Sequence, residues 1–167
     1  MRKSMALFIF LSLMLTTLMF SENGDRNLLG ESSFAISTDG IKTAENELGN
    51  LISDIVRENT RVNAVFIPAG IFKSDLPQGY VYEDSLNQSI TSHEKIAKCE
   101  ISGSEIAKLL KISFSKSGTD YFLQQSGMRV FHDSGKILSL EILKNPENPA
   151  AGFETLVEEK NYLVAFA

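Results

Sequence analysis

The stretch that most restricts the fold of this chain is residues 42–57, KTAENELGNLISDIVR. Leu48, Leu51, Ile52, Ile55 and Val56 recur at helical spacing and predict a helix with one buried face. Glu45, Asn46, Asn50, Ser53, Asp54 and Arg57 take the other face. Thr43 stands where an N-cap is needed, with Glu45 and Glu47 in the first turn, where the helix dipole favours negative charge. Gly49 inside this helix costs up to about 1 kcal/mol relative to alanine. A glycine in that place points to close packing against another element.

The 167 residues suggest one domain behind a targeting segment. Residues 1–21 read as a signal peptide: Arg2 and Lys3 form a positive n-region, and residues 6–20 are an apolar run broken by Ser12, Thr16 and Thr17. That run falls short of the ~20 residues needed to span a bilayer, so no stable membrane span is expected. Cleavage is expected near Ser21, with an uncleaved anchor as the alternative, and the absence of a cysteine after the run argues against a lipoprotein. The expected destination is the bacterial periplasm or the extracellular medium.

Beyond Ser21 the chain carries 14 basic and 21 acidic side chains, a formal net charge of −7. An acidic domain without a basic run offers no electrostatic footprint for nucleic acid. Cys99 is the sole cysteine, so no internal disulfide can form. It falls in a predicted strand and is expected to be buried and unreactive.

Residues 22–32 are polar and rich in Gly and Asn, and read as a linker to a domain over 33–167. Residues 33–37, 62–67, 95–101, 121–124, 128–132, 136–143 and 162–166 read as strands. Residues 82–89 read as a short helix, and Ser102-Gly103-Ser104-Glu105 is a capping box ahead of an amphipathic helix over 105–114. Residues 68–70 leave the 62–67 strand as a loop, and 76–79 form a turn.

These segments carry a resemblance. Asn46-Glu47-Leu48-Gly49-Asn50-Leu51 with Asp54 is similar to the opening helix of the C-terminal domain of 5'-nucleotidases. The family's later landmarks follow in order: Leu76-Pro77-x-Gly79, Val81-Tyr82-x-Asp84, Glu100-Ile101-Ser102-Gly103-x-Glu105-Ile106, Phe122-Leu123-Gln124-x-Ser126-Gly127-Met128-Arg129, and Lys160-x-Tyr162-x-Val164-Ala165. The resemblance implies an α+β fold of mixed β-sheets with helices packed outside. It also implies nucleotide catabolism as the setting, with this domain recognising the nucleoside while two metals on a preceding metallophosphoesterase domain perform the hydrolysis.

That metal chemistry needs a dense cluster of His, Asp and Asn ligands. The chain has only His93 and His132, each expected to be a surface or hydrogen-bonded residue. No catalytic residue, metal site or cofactor is therefore assigned. Ser126 lies in QSG, outside any nucleophile elbow, and no His or Asp can be matched to it from sequence.

The recognition residues implied by the resemblance are altered as well. The family loop Asn-Gly-Gly-Gly-Ile-Arg corresponds to Ile67-Pro68-Ala69-Gly70-Ile71-Phe72, so Gly70 is kept and Phe72 stands where the arginine would be. Lys73 follows and supplies a charge without the guanidinium fork. Lys42 aligns with an arginine before the first helix and could hold a phosphate or carboxylate at that helix's N-terminus. One ring of the family's aromatic clamp corresponds to Thr91-Ser92-His93-Glu94, which has no ring of that kind. The second ring and a Gly-Gly-Asp-Gly loop lie beyond the Tyr-x-Val-Ala strand, after which this chain ends at Ala167.

The candidate binding residues are thus Lys42, Gly70, Phe72 and Lys73, in an eroded nucleotide pocket. The leading expectation is an exported, stand-alone, non-catalytic domain truncated at its C-terminal end. The alternatives are a specificity subunit for a separately encoded metallophosphoesterase and a degenerate interaction domain. The last would leave an edge strand without its usual successor, prone to pairing with another chain.

Overall fold

Val62, Ala64, Val65, Phe66 and Ile67 have no exposed surface at all, a pattern that only a strand covered on both faces satisfies. The computed structural model, which describes residues 27–90, 95–134 and 136–167, builds the molecule around that strand. The strands are β1 (Leu28–Ser32), β2 (Ala64–Pro68), β3 (Gly79–Tyr82), β4 (Ala97–Ser102), β5 (Leu123–Ser126), β6 (Met128–Asp133), β7 (Lys136–Leu143), β8 (Phe153–Thr155) and β9 (Asn161–Phe166). The helices are α1 (Glu47–Thr60), α2 (Glu83–Ser89) and α3 (Gly103–Ser115), with 3-10 turns at Ala69–Ile71 and Pro149–Ala151.

The central sheet has the order β4-β9-β2-β5. Its β2–β9 pair is parallel and the other two pairs are antiparallel. One face of β2, through Val65 and Ile67, packs with Leu48 and Ile52 of α1 and with Phe72, Leu76 and Phe122. The other face, through Ala64 and Phe66, packs with Ile106 and Leu110 of α3 and with Leu140 and Ile142 of β7. A second sheet, β6-β7-β8, therefore shares one face of the central sheet with α3, while β1 and β3 form a separate ribbon. The fold is α+β with mixed sheets and flanking helices, as the sequence implied.

The capping box forms as expected: Ser102 Oγ accepts from Glu105 N, and the Glu105 carboxylate accepts from Ser102 N and Oγ. Those two bonds hold the Glu105 carboxyl below its usual range. At α1 the expectation needs correction. The cap is Asn46, whose Oδ1 accepts from Leu48 N and Gly49 N, while the Thr43 hydroxyl turns back to Gly40 O. The buried face of α1 is Leu48, Gly49, Ile52 and Ser53, and Leu51 and Ile55 are exposed. Gly49 is closely packed as expected. A Cβ there would lie 2.4 Å from Gln124 Oε1.

Other differences follow from pairing that no local pattern encodes. Residues 28–32, read as part of a linker, form β1 by pairing with β3, and the ribbon leaves Leu28, Leu29 and Tyr80 exposed. Within 33–37 only an isolated bridge, Ile36 to Leu76, is made. The last strand, β9, is no edge: β4 and β2 flank it. Residues 1–21, read as a signal peptide, residues 22–26 of the expected linker, and residues 91–94 with His93 lie outside the described residues.

Cys99 does lie in a strand, but β4 is an edge strand with solvent on its outer side, and the thiol is exposed. We expect one thiol per chain to react with a disulfide reagent such as dithionitrobenzoate without denaturant. A thiol that reacts only after unfolding would contradict the exposed position.

Candidate functional site

The four candidate residues come from two separate parts of the chain, and the fold collects them around one cleft. The turn before α1 brings Lys42, the 3-10 turn leaving β2 brings Gly70, and Phe72 and Lys73 follow it. The cleft holds about 560 Å³ and is also lined by residues 38–41, Thr43, Gly118 and Asp120. Backbone bonds fix its walls: Gly70 N donates to Asp120 O (2.9 Å), and Gly118 N donates to Lys42 O (2.7 Å). Gly70 meets the 116–121 segment so closely that a Cβ would lie 2.7 Å from Asp120 Cβ.

Both lysines of this cleft already have a partner. Lys42 Nζ pairs with Asp120 at 2.7 Å. That hydrogen bond and charge hold the Asp120 carboxyl below its ordinary range. Lys73 Nζ donates to Gly70 O at 2.6 Å. Asp39 lines the same cleft, and just outside it Asp75 accepts from the Thr38 hydroxyl and N–H, which lower its pKa. Two lysines thus stand among acids. Nor does α1 lend its N-terminus, since Asn46 already takes the first-turn N–H groups of Leu48 and Gly49. A phosphate binds best where free cations and open N–H groups converge, and here Lys42 is paired with Asp120 and Lys73 with the Gly70 carbonyl.

Phe72 lines the cleft but is a core residue. It is 5% exposed and belongs to the core under α1, so the position that resembles the family's arginine has become a packing residue. Asp120 is the residue that sequence reasoning missed. It sits in an unremarkable Thr-Asp-Tyr turn, and its complement to Lys42 lies 78 positions away.

Ser126 has the acidic neighbour that sequence could not supply. Its hydroxyl donates to Asp54 Oδ1 and accepts from Arg57 Nε at 2.8 Å. With no imidazole in the group and Ser126 buried, this network fastens α1 to β5. His132 packs against Phe114, their ring centres 4.9 Å apart. Among the described residues, no three His, Cys, Asp or Glu side chains gather where a metal ion could be held, and no helix is long and apolar enough to cross a membrane.

The structure is thus a mixed sheet clad by helices, with a cleft at the end of its central strand. The chain belongs to the 5'-nucleotidase C-terminal domain family, whose model matches residues 26–167. No curated protein matches it. Among solved structures, it is similar to a 5'-nucleotidase precursor from Thermus thermophilus, at TM-score 0.70 and 19% identity over 94% of this chain and 32% of that one. It is also similar to the NAD nucleotidase of Haemophilus influenzae, at TM-score 0.60 and 16% identity over 84% of this chain and 26% of that one. A Thermus thermophilus sulfate thiohydrolase follows at TM-score 0.54 and 18% identity, over 84% and 27%. At these identities the likeness is one of fold. The chain spans about a third or less of each of these proteins.

Proposed function

We propose that this chain is an exported recognition domain of the 5'-nucleotidase type that does not itself break a bond. Its cleft takes the uncharged, nucleoside-like part of a ligand rather than its phosphate. The observation that carries this reading is the cleft that gathers Lys42, Gly70, Phe72 and Lys73 while Lys42 is neutralised by Asp120. The family supplies the setting of nucleotide catabolism, and the two-histidine sequence argues against a dinuclear centre of the chain's own.

Thermal unfolding of the purified chain with millimolar adenosine, AMP or UDP-glucose tests the cleft. A ligand at a hundred times its dissociation constant stabilises the folded state by about 2.7 kcal/mol, a shift of several degrees for a chain of this size. Adenosine is expected to shift the midpoint at least as far as AMP. A shift with AMP alone would restore a phosphate site, and phosphate release from AMP with Mn²⁺ would overturn the non-catalytic reading. Amino-terminal sequencing of the protein recovered from the medium or periplasm tests export, with a start near residue 22 expected.

A second reading makes the domain a specificity subunit for a separate metallophosphoesterase. The exposed Leu28, Leu29 and Tyr80 of the β1–β3 ribbon favour it, as an apolar surface suited to docking. Failure of the two proteins to co-purify when expressed together would count against it.

A further inference from the structure

A second cleft, of about 750 Å³, opens along the outer edge of β5 and β6, where α3 ends, and holds none of the four residues discussed above. Its walls are unusually aromatic. Phe114 packs against His132 at a tilt, ring centres 4.9 Å apart, and meets Phe122 edge-on at 6.3 Å, and Phe131 lines the same cleft, 48% exposed. Such rings offer flat faces to a flat ligand.

Two adjacent glutamines line this cleft, and they differ sharply. Gln124 uses its whole carboxamide on the backbone of residues 41–46. Gln125 points to the opposite side of the sheet. Its Oε1 is shut off from solvent and has no hydrogen-bond partner among the described residues. A buried unmatched acceptor is rare in a folded protein and calls for a donor. Because no described residue bonds this carboxamide, it can turn about χ3 toward the cleft without breaking a bond to one of them.

Charge narrows the ligand further. The cleft's one guanidinium, Arg129, is engaged by Glu141 at 3.5 Å and lies 4.1 Å over the Phe153 ring. Among the described residues no lysine lines it, so its positive charge is that one committed guanidinium. We propose that this cleft is a second binding site, for a flat, uncharged heteroaromatic molecule that gives an N–H to Gln125 while its ring lies against Phe131 and the Phe114–His132 pair.

Indole is a suitable probe because the chain has no tryptophan, so indole emission, excited beyond the absorption of tyrosine, is read without a tryptophan background. Titration of the full chain is expected to give saturable, one-to-one binding. Benzofuran has the same shape without the N–H, and is expected to compete about tenfold more weakly, the loss of one hydrogen bond. Gln125→Leu should weaken indole about as much and leave the fold intact, since it removes an unmatched buried acceptor. Lys73→Ala, in the other cleft, should leave indole binding unchanged. Non-saturable binding, or equal competition by benzofuran, would overturn the proposal even if Gln125→Leu did not fold. Undiminished indole binding to a folded Gln125→Leu would do the same. Adenosine binding at the first cleft is scored separately, as the thermal shift that persists in Gln125→Leu.

Discussion

Replacing Gly127 by alanine is expected to lower stability by about 2–5 kcal/mol, the larger part coming from a contact that no side chain can make. Gly127 is the single residue between β5 and β6, where the chain leaves the central sheet and enters the second one. Its φ is +78°, a conformation that costs an L-residue about 1–2 kcal/mol. A Cβ there would lie 2.1 Å from the backbone oxygen of Asn63, and overpacking of this kind adds about 1–3 kcal/mol. The neighbour cannot yield easily. Asn63 N donates to Leu163 O, its Oδ1 accepts from Leu163 N, and its Nδ2 donates to Leu143 O. Moving Asn63 away from the new methyl would disturb β9 and β7 together. Gly118→Ala separates the two costs, because Gly118 also has positive φ but open space around its Cβ position. Urea unfolding of both variants decides the point. Equal losses at the two glycines would mean that the Asn63 contact contributes nothing.

Gly127 also marks the border between what the sequence discloses and what it hides. The sequence places Ser126-Gly127 between two short strands, yet only the assembled sheets show that the turn carries the chain from one sheet to the next. The same division runs through the rest of the molecule. β2, β7 and β9 were legible because continuous or alternating apolar residues are a local signal. The capping box was legible because its partners are three residues apart. The β1–β3 ribbon was not, since its strands are separated by more than forty residues and neither is buried on one face. α1 was over-read for a related reason: Leu51 and Ile55 have the right spacing, but the surface opposite them ends before it covers them. At the cleft, Lys42, Gly70, Phe72 and Lys73 were reached through family resemblance. Asp120, which sets the charge of the site, could be found only by the fold, because ion pairing across 78 residues leaves no mark in either segment.

Gln124 should be the most sensitive polar side chain in the core. It is 2% exposed. Its Nε2 donates to Ile41 O at 2.6 Å and Ala44 O at 2.8 Å, and its Oε1 accepts from Asn46 N at 3.2 Å. These three bonds hold residues 41–46 against β5, and that segment carries both Lys42 of the cleft and the Asn46 cap of α1. Gln124→Leu leaves two carbonyls and one N–H without their partner. At about 1–3 kcal/mol for each stranded group, partly relieved by water at the less buried Ala44, a loss of roughly 3–5 kcal/mol is expected. Because the loss is local, amide exchange should quicken first at residues 41–46 and the start of α1, and any adenosine-induced thermal shift should shrink with it. Gln124→Glu sharpens the test through pH. A carboxylate facing two carbonyl oxygens is strongly disfavoured, so the folded state raises that carboxyl's pKa above the ~4.3 of a free glutamate. The penalty is then absent below pH ~4.3, where the acid is protonated in both states and can donate to one carbonyl, and it grows as pH rises through the raised folded value. Relative to the unaltered chain, Gln124→Glu should therefore be least destabilised in acid and most destabilised at neutral pH. A pH-independent difference between the two proteins would show that the carboxyl swings out to solvent, and that residues 41–46 are held by packing rather than by the Gln124 amide.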